Sequence, residues 1–208
     1  MAFFYIFLRQ FYGAKDSVIG LLFFTSIYPI IFVDNFLAFY DKLSFVFFVL
    51  GFIFVVRKWY VPLAVLMPIA ALNKETAIFL VLIYYLWSNQ FWKSSLLLLE
   101  WCVVFFGLMH GMDIISSRNY MSYIASNLTL PLVYINVIII FGVFWYLAVK
   151  HMKNTTQQLR KVSLVVPLFF IVHFIFAKIN EVRVLLPLSL IIIPIGLEEF
   201  RNWREKNR

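Results

Sequence analysis

Long apolar stretches alternate along this chain with short polar breaks that carry most of its charge. The apolar runs fall at 17–33, 43–56, 60–72, 76–87, 96–114, 132–149, 163–178 and 184–197. Runs of this length and uniformity predict helices surrounded by other helices or by lipid. A helix needs about 20 apolar residues to cross a hydrocarbon core roughly 30 Å thick. The pattern therefore predicts an all-α protein, a polytopic transmembrane helical bundle of about eight membrane segments. Four runs, 43–56, 60–72, 76–87 and 184–197, fall short of a standard span. They predict segments lengthened by polar ends, or tilted, broken or re-entrant ones. No repeat, low-complexity tract or linker divides the chain, so residues 1–208 read as a single transmembrane domain.

The breaks also predict an orientation. If alternate breaks lie on alternate sides and the N-terminus is inside, the inner breaks hold Arg9, Lys15, Arg57, Lys58, Lys93, Lys150, Lys153, Arg160, Lys161, Arg201, Arg204, Lys206 and Arg208. The outer breaks hold only Lys42, Lys74, Arg118, Lys178 and Arg183. Basic residues stay preferentially on the cytoplasmic side, so N- and C-termini are expected in the cytoplasm. The tail EEFRNWREKNR is then expected along the inner leaflet, with Trp203 at the interface.

Composition reinforces the pattern: 63% of residues are hydrophobic, only 13% are charged, and 25 are Phe. Mean hydropathy is +0.91. The opening MAFFYIFLRQ lacks a basic n-region and a cleavage site, and its apolar run stops at Arg9, so no cleaved signal peptide is expected. Cys102 is the single cysteine, which excludes an intramolecular disulfide and a CxxC motif. The net charge of +8 follows from basic cytoplasmic loops in such a protein, so nucleic acid is not expected as a partner.

Against this background the segment ALNKETAIFL (71–80) stands out, because charges at membrane depth ordinarily face a cavity or a partner. Lys74 and Glu75 are consecutive, so on a continuous helix they point about 100° apart and need other partners. If Asn73-Lys74-Glu75-Thr76 instead breaks the helix, Asn73 or Thr76 is placed to cap the next one. The helix N-terminus and Lys74 would then favour a phosphate. The alternative is a tight outer turn with its charges in water.

A second cluster, KINEVRVLLPLSLIIIPI (178–195), sets Glu181 and Arg183 before Pro187 and Pro194. Both prolines fall on one side of a helix and each removes a backbone donor, which predicts a kinked helix end. Arg183 has the fork geometry for phosphate, with Glu181 to orient it; the competing reading is a surface ion pair. Asp34 and Asp41, seven apart, share a face if helical, and a partly desolvated carboxylate is suited to general-base work. Solvated loop acids are the plainer reading, above all for Asp34. His110 and Asp113, three apart, are able to ligate a divalent cation, but two ligands do not make a site, so no metal is assigned. Glu100 and His173 lie within apolar runs as internal hydrogen-bonding or proton-relay residues. Asn127 and Asn154 begin glycosylation sequons, the second of them on the predicted inner side.

The order FYDKLSFVFFVLGF, ALNKETAIFLVLIYYL, NEVRVLLPLSLIIIPI resembles the C-terminal part of polytopic membrane proteins related to the GT-C glycosyltransferases, over about residues 37–196. The resemblance implies a hexosyl- or pentosyltransferase in a bacterial inner membrane. It would move a sugar from a polyprenyl-phosphate donor to an acceptor on the outer face, such as a cell-envelope polysaccharide. Carried over residue by residue, Asp41, Asn73, Lys74, Glu75, Glu181 and Arg183 are the positions that match. In such a transferase Asp41 or Glu75, with Asp41 preferred, would be the catalytic base, and Lys74 and Arg183, with Asn73 and Glu181, would hold the lipid phosphate. The implied partners are membrane lipid, the polyprenyl-phosphate-linked sugar and another membrane protein; a divalent cation is the one cofactor in question. The chain lacks the large first outer loop that carries a catalytic acid in most of these enzymes. A non-catalytic subunit, a carrier or flippase of lipid-linked sugars, and a small secondary transporter therefore stand as alternatives.

Overall fold

A computed structural model of the chain describes residues 1–32, 39–112, 120–129, 135, 138, 141–177 and 182–207. Every regular element among these is helical, as the apolar pattern requires. In chain order they are α1 (Ala2–Leu8), α2 (Ala14–Phe32), α3 (Phe39–Val56) and α4 (Tyr60–Asn73), then a 3₁₀ turn (Glu75–Ala77) leading into α5 (Ile78–Ser88). There follow α6 (Phe91–Met112), α7 (Tyr120–Thr129), α8 (Val143–His151), α9 (Gln157–Val162), α10 (Val165–Phe176), a 3₁₀ stretch (Val182–Leu188) and α11 (Ser189–Lys206). Among the described residues, two stretches are long and apolar enough to cross a membrane: Phe39–Val56, and Gln157–Phe176, in which α9 and α10 run on from one another. Tyr60–Asn73 and Glu75–Ser88 are apolar but shorter.

The centre of the bundle is the first half of α11, where every residue from Ser189 to Leu197 is buried. A helix that is apolar on all sides must be enclosed on all sides, and α8 and α2 pack against it. The charged tail continues this helix without a break to Lys206. Pro187 lies in the 3₁₀ stretch and Pro194 inside α11, and the Tyr12 hydroxyl donates to the Pro194 carbonyl at 2.5 Å. Burial pushes the Tyr12 hydroxyl pKa well up.

Two features escaped the sequence reading. The opening eight-residue run forms α1, whose Phe4, Phe7 and Leu8 are buried; Phe4 stacks on Phe24 at 4.2 Å between ring centroids, and Phe24 on Phe45 at 5.1 Å. The turn after α3 has Lys58 at φ 59°, with Trp59 N donating to Phe54 O at 2.8 Å and Lys58 N to Val55 O at 3.0 Å. That is a Schellman ending with lysine where glycine is favoured. Gly51 lets α3 approach α5, since a Cβ there would stand 2.7 Å from the Leu80 side chain.

Candidate functional site

The segment Asn73–Ala77 is a true break. Lys74 is extended (φ −160°, ψ 136°) between the end of α4 and the 3₁₀ turn that starts α5. The expected caps do not form, because neither Asn73 nor Thr76 bonds the following helix start through its side chain. Asn73 turns back instead and donates from Nδ2 to Tyr40 O at 3.1 Å, since a carbonyl on the neighbouring α3 lies within its reach. Lys74 finds its partner on the same helix, pairing through Nζ with Asp41 Oδ1. The pair is largely shielded, at 23% and 12% side-chain exposure for Lys74 and Asp41. Trp101 of α6 donates from Nε1 to Glu75 O at 3.1 Å, which locks the turn to a third helix.

Four of the six residues singled out by the resemblance thus meet at one end of the bundle: Asp41, Asn73, Lys74 and Glu75. For the other two, the side chain of Arg183 and the whole of Glu181 lie outside the described residues, as do Asp34, Asp113 and the side chain of His110. No group of three or more potential metal ligands occurs among the described residues.

Directly beside the turn opens a groove of about 830 Å³. Its head is formed by Glu75, Thr76 and His173, and its walls by residues such as Phe79, Leu82, Leu98, Trp101, Phe105 and Leu168 from α5, α6 and α10. The far end reaches Tyr85, Phe91 and Ser94. The volume lies in the range of small-molecule sites, about 300–1,000 Å³. The shape is an apolar channel with polar groups at its head. Lys74, Asp41 and Asn73 do not line it; Lys74 directly precedes Glu75 in the turn.

His173 is the residue that sequence reasoning assigned only an internal role. It is 3% exposed, and its Nδ1 lies 2.8 Å from Phe169 O. A carbonyl only accepts, so Nδ1 carries the proton and the neutral ring keeps a lone pair at Nε2. The ring stacks on Phe169 at 4.0 Å and on Phe79 at 6.2 Å. Its one sequence signal is position: five residues before the end of a run that finishes on the same predicted side as Thr76. Glu100, expected to bond internally, has a buried Oε2 with no hydrogen-bond partner among the described residues. Asn127 donates to Phe174 O and Ala177 O, both at 2.8 Å, and is fully buried, so its sequon is closed to modification in this fold.

A second polar cluster joins α8 to α11. His151 places Nδ1 3.0 Å from Glu199 Oε2 and Nε2 3.3 Å from Glu198 Oε2, the latter a close approach without hydrogen-bond alignment. Lys150 pairs with Glu199 at 2.7 Å, Thr155 donates to Glu198 at 3.1 Å, and Arg204 pairs with Asp16 at 2.8 Å. The Lys150 hydrogen bond holds the Glu199 carboxyl below its ordinary value, and the same bond raises Lys150.

Compared with protein-family models, curated proteins and solved structures, the chain matches none.

Proposed function

We propose that this chain is a multi-pass membrane protein that binds a polyprenyl-phosphate-linked sugar and transfers the sugar in the manner of the GT-C enzymes its motifs resemble. In this reading the eight apolar segments cross a bacterial inner membrane, with both termini cytoplasmic and the 73–77 turn on the outer side. The observation that carries it is the groove: an apolar channel whose head abuts a shielded Lys–Asp pair. A single lipid tail would lie between α5, α6 and α10, with its phosphate at the head. Of the three ammonium hydrogens of Lys74, one goes to Asp41, and two remain for phosphate oxygens.

Transfer would form a bond from an acceptor hydroxyl oxygen to the sugar's anomeric carbon and break the bond from that carbon to phosphate. The electron pair leaves with the phosphate, whose charge Lys74 stabilises. Asp41, bonded to Lys74, would position that ammonium, which leaves the proton acceptor to be sought at the groove head. The test is transfer of radiolabelled sugar from polyprenyl-phosphate donors in proteoliposomes, with Leu98→Trp to fill the groove. Wild-type turnover that Leu98→Trp removes supports the reading. Donor binding without turnover would favour a carrier, and absence of donor binding would overturn both.

A further inference from the structure

We infer that His173 is the group that takes the acceptor's proton at the head of the groove, an inference that rests on the transferase reading above. Three observations carry it. First, His173 lines the groove alongside Glu75 and Thr76, where a sugar attached to a phosphate near Lys74 would sit. Second, its Nδ1 is committed to Phe169 O and its faces to Phe169 and Phe79. That leaves Nε2 as the ring's acceptor, on a residue that lines the groove. Third, Asp41, the acid that the motifs nominate as base, is bonded to Lys74 and does not line the groove.

Among the described residues, the charged groups acting on the ring are Lys74 and Glu75, of opposite sign. As the acceptor oxygen attacks the anomeric carbon, its hydrogen passes to Nε2 and makes an imidazolium. Glu75, in the same wall, is of the right sign to stabilise that cation. The proton then leaves to water with departure of the glycosylated product, restoring the neutral ring. The step consumes no oxidant, metal or further reactant.

The two amide replacements separate a base from a mere hydrogen-bonding role. His173→Gln keeps an acceptor near the Nε2 position without basicity, while His173→Asn preserves only the bond toward Phe169. Both variants would be assayed in proteoliposomes for retention of radiolabelled donor lipid and for sugar transfer. Donor binding within about twofold of wild type is expected, with kcat lowered about 100-fold or more and the acid limb of the rate–pH profile gone. His173→Gln with wild-type kcat would overturn the inference while leaving the transferase reading intact. A wild type that binds no donor would overturn both. If His173→Gln fails to fold, diethyl pyrocarbonate modification of the wild type, read peptide by peptide, takes its place. Loss of transfer that tracks His173 modification and is slowed by donor lipid is expected. Loss that tracks His151 instead would overturn the assignment.

Discussion

The two polar clusters differ in what surrounds them. Around His151, acids, bases and a threonine from α8, the turn after it and α11 are matched to one another, so the cluster acts as a fastening between two helices. At the 73–77 turn the Lys74–Asp41 pair fastens α4 to α3 in the same way, but an 830 Å³ groove with largely apolar walls opens beside it, whereas the smaller hollow of about 460 Å³ beside Lys150 and Glu199 is lined by polar side chains alone. Similar ion pairs thus serve different ends, and the apolar character of the adjoining volume, more than the charges, marks the candidate site.

The sharpest way to break this contrast is at the fastening. His151→Leu leaves two glutamates facing one another without the ring between them, and should cost about 3 kcal/mol. Thermal unfolding in detergent would show it, with donor-lipid binding unchanged in the protein that remains folded. Lys74→Met should do the reverse. Losing a charge-assisted contact to phosphate, worth about 1.5–3 kcal/mol, should weaken polyprenyl-phosphate binding roughly 10- to 100-fold in a liposome retention assay. If Lys74→Met affects only the melting temperature, the two clusters are alike and the contrast fails. A smaller effect tests the turn after α3: Lys58→Gly relieves a positive φ and should stabilise by about 0.5–1 kcal/mol, without touching binding.

The smallest effect is in pH. Glu199 is held below its ordinary 4.5, so its contribution is complete above that value and is lost as pH falls through the depressed one. Lys150 is raised above 10.5, so its contribution is complete below that value and is lost as pH rises through the raised one. Unfolding midpoints should therefore fall at both extremes and hold level between, and a Glu199→Gln protein should lose the acid-side drop.

Much of the architecture was legible because burial in one direction only requires apolar residues. The break between 60–72 and 76–87 follows from four consecutive polar residues, and the structure sets its helices at Tyr60–Asn73 and Glu75–Ser88. The pairing of Lys74 was legible only halfway. Consecutive charges cannot pair on a helix, so a distant partner was required, but choosing Asp41 over another acid needs the packing of α3 on α4. Asn73 was expected to cap α5, and in space the Tyr40 carbonyl competes successfully. α1 went unseen because a seven-residue helix has no periodic signature of its own and is held by the rings it touches. His173 gave almost no signal, since a lone histidine in an apolar run looks the same whether it faces a neighbour or a groove.

The burial of α11 on every side carries a consequence for biogenesis. This helix is synthesised after every described neighbour it supports, so α2 and α8 leave the ribosome before their central post exists. Until Ser189–Leu197 arrives, those helices have apolar flanks with nothing to close upon, and the nascent bundle depends on lipid or a chaperone to cover them. Chains interrupted before residue 189 should therefore be cleared rapidly by proteolysis even when every preceding helix is intact.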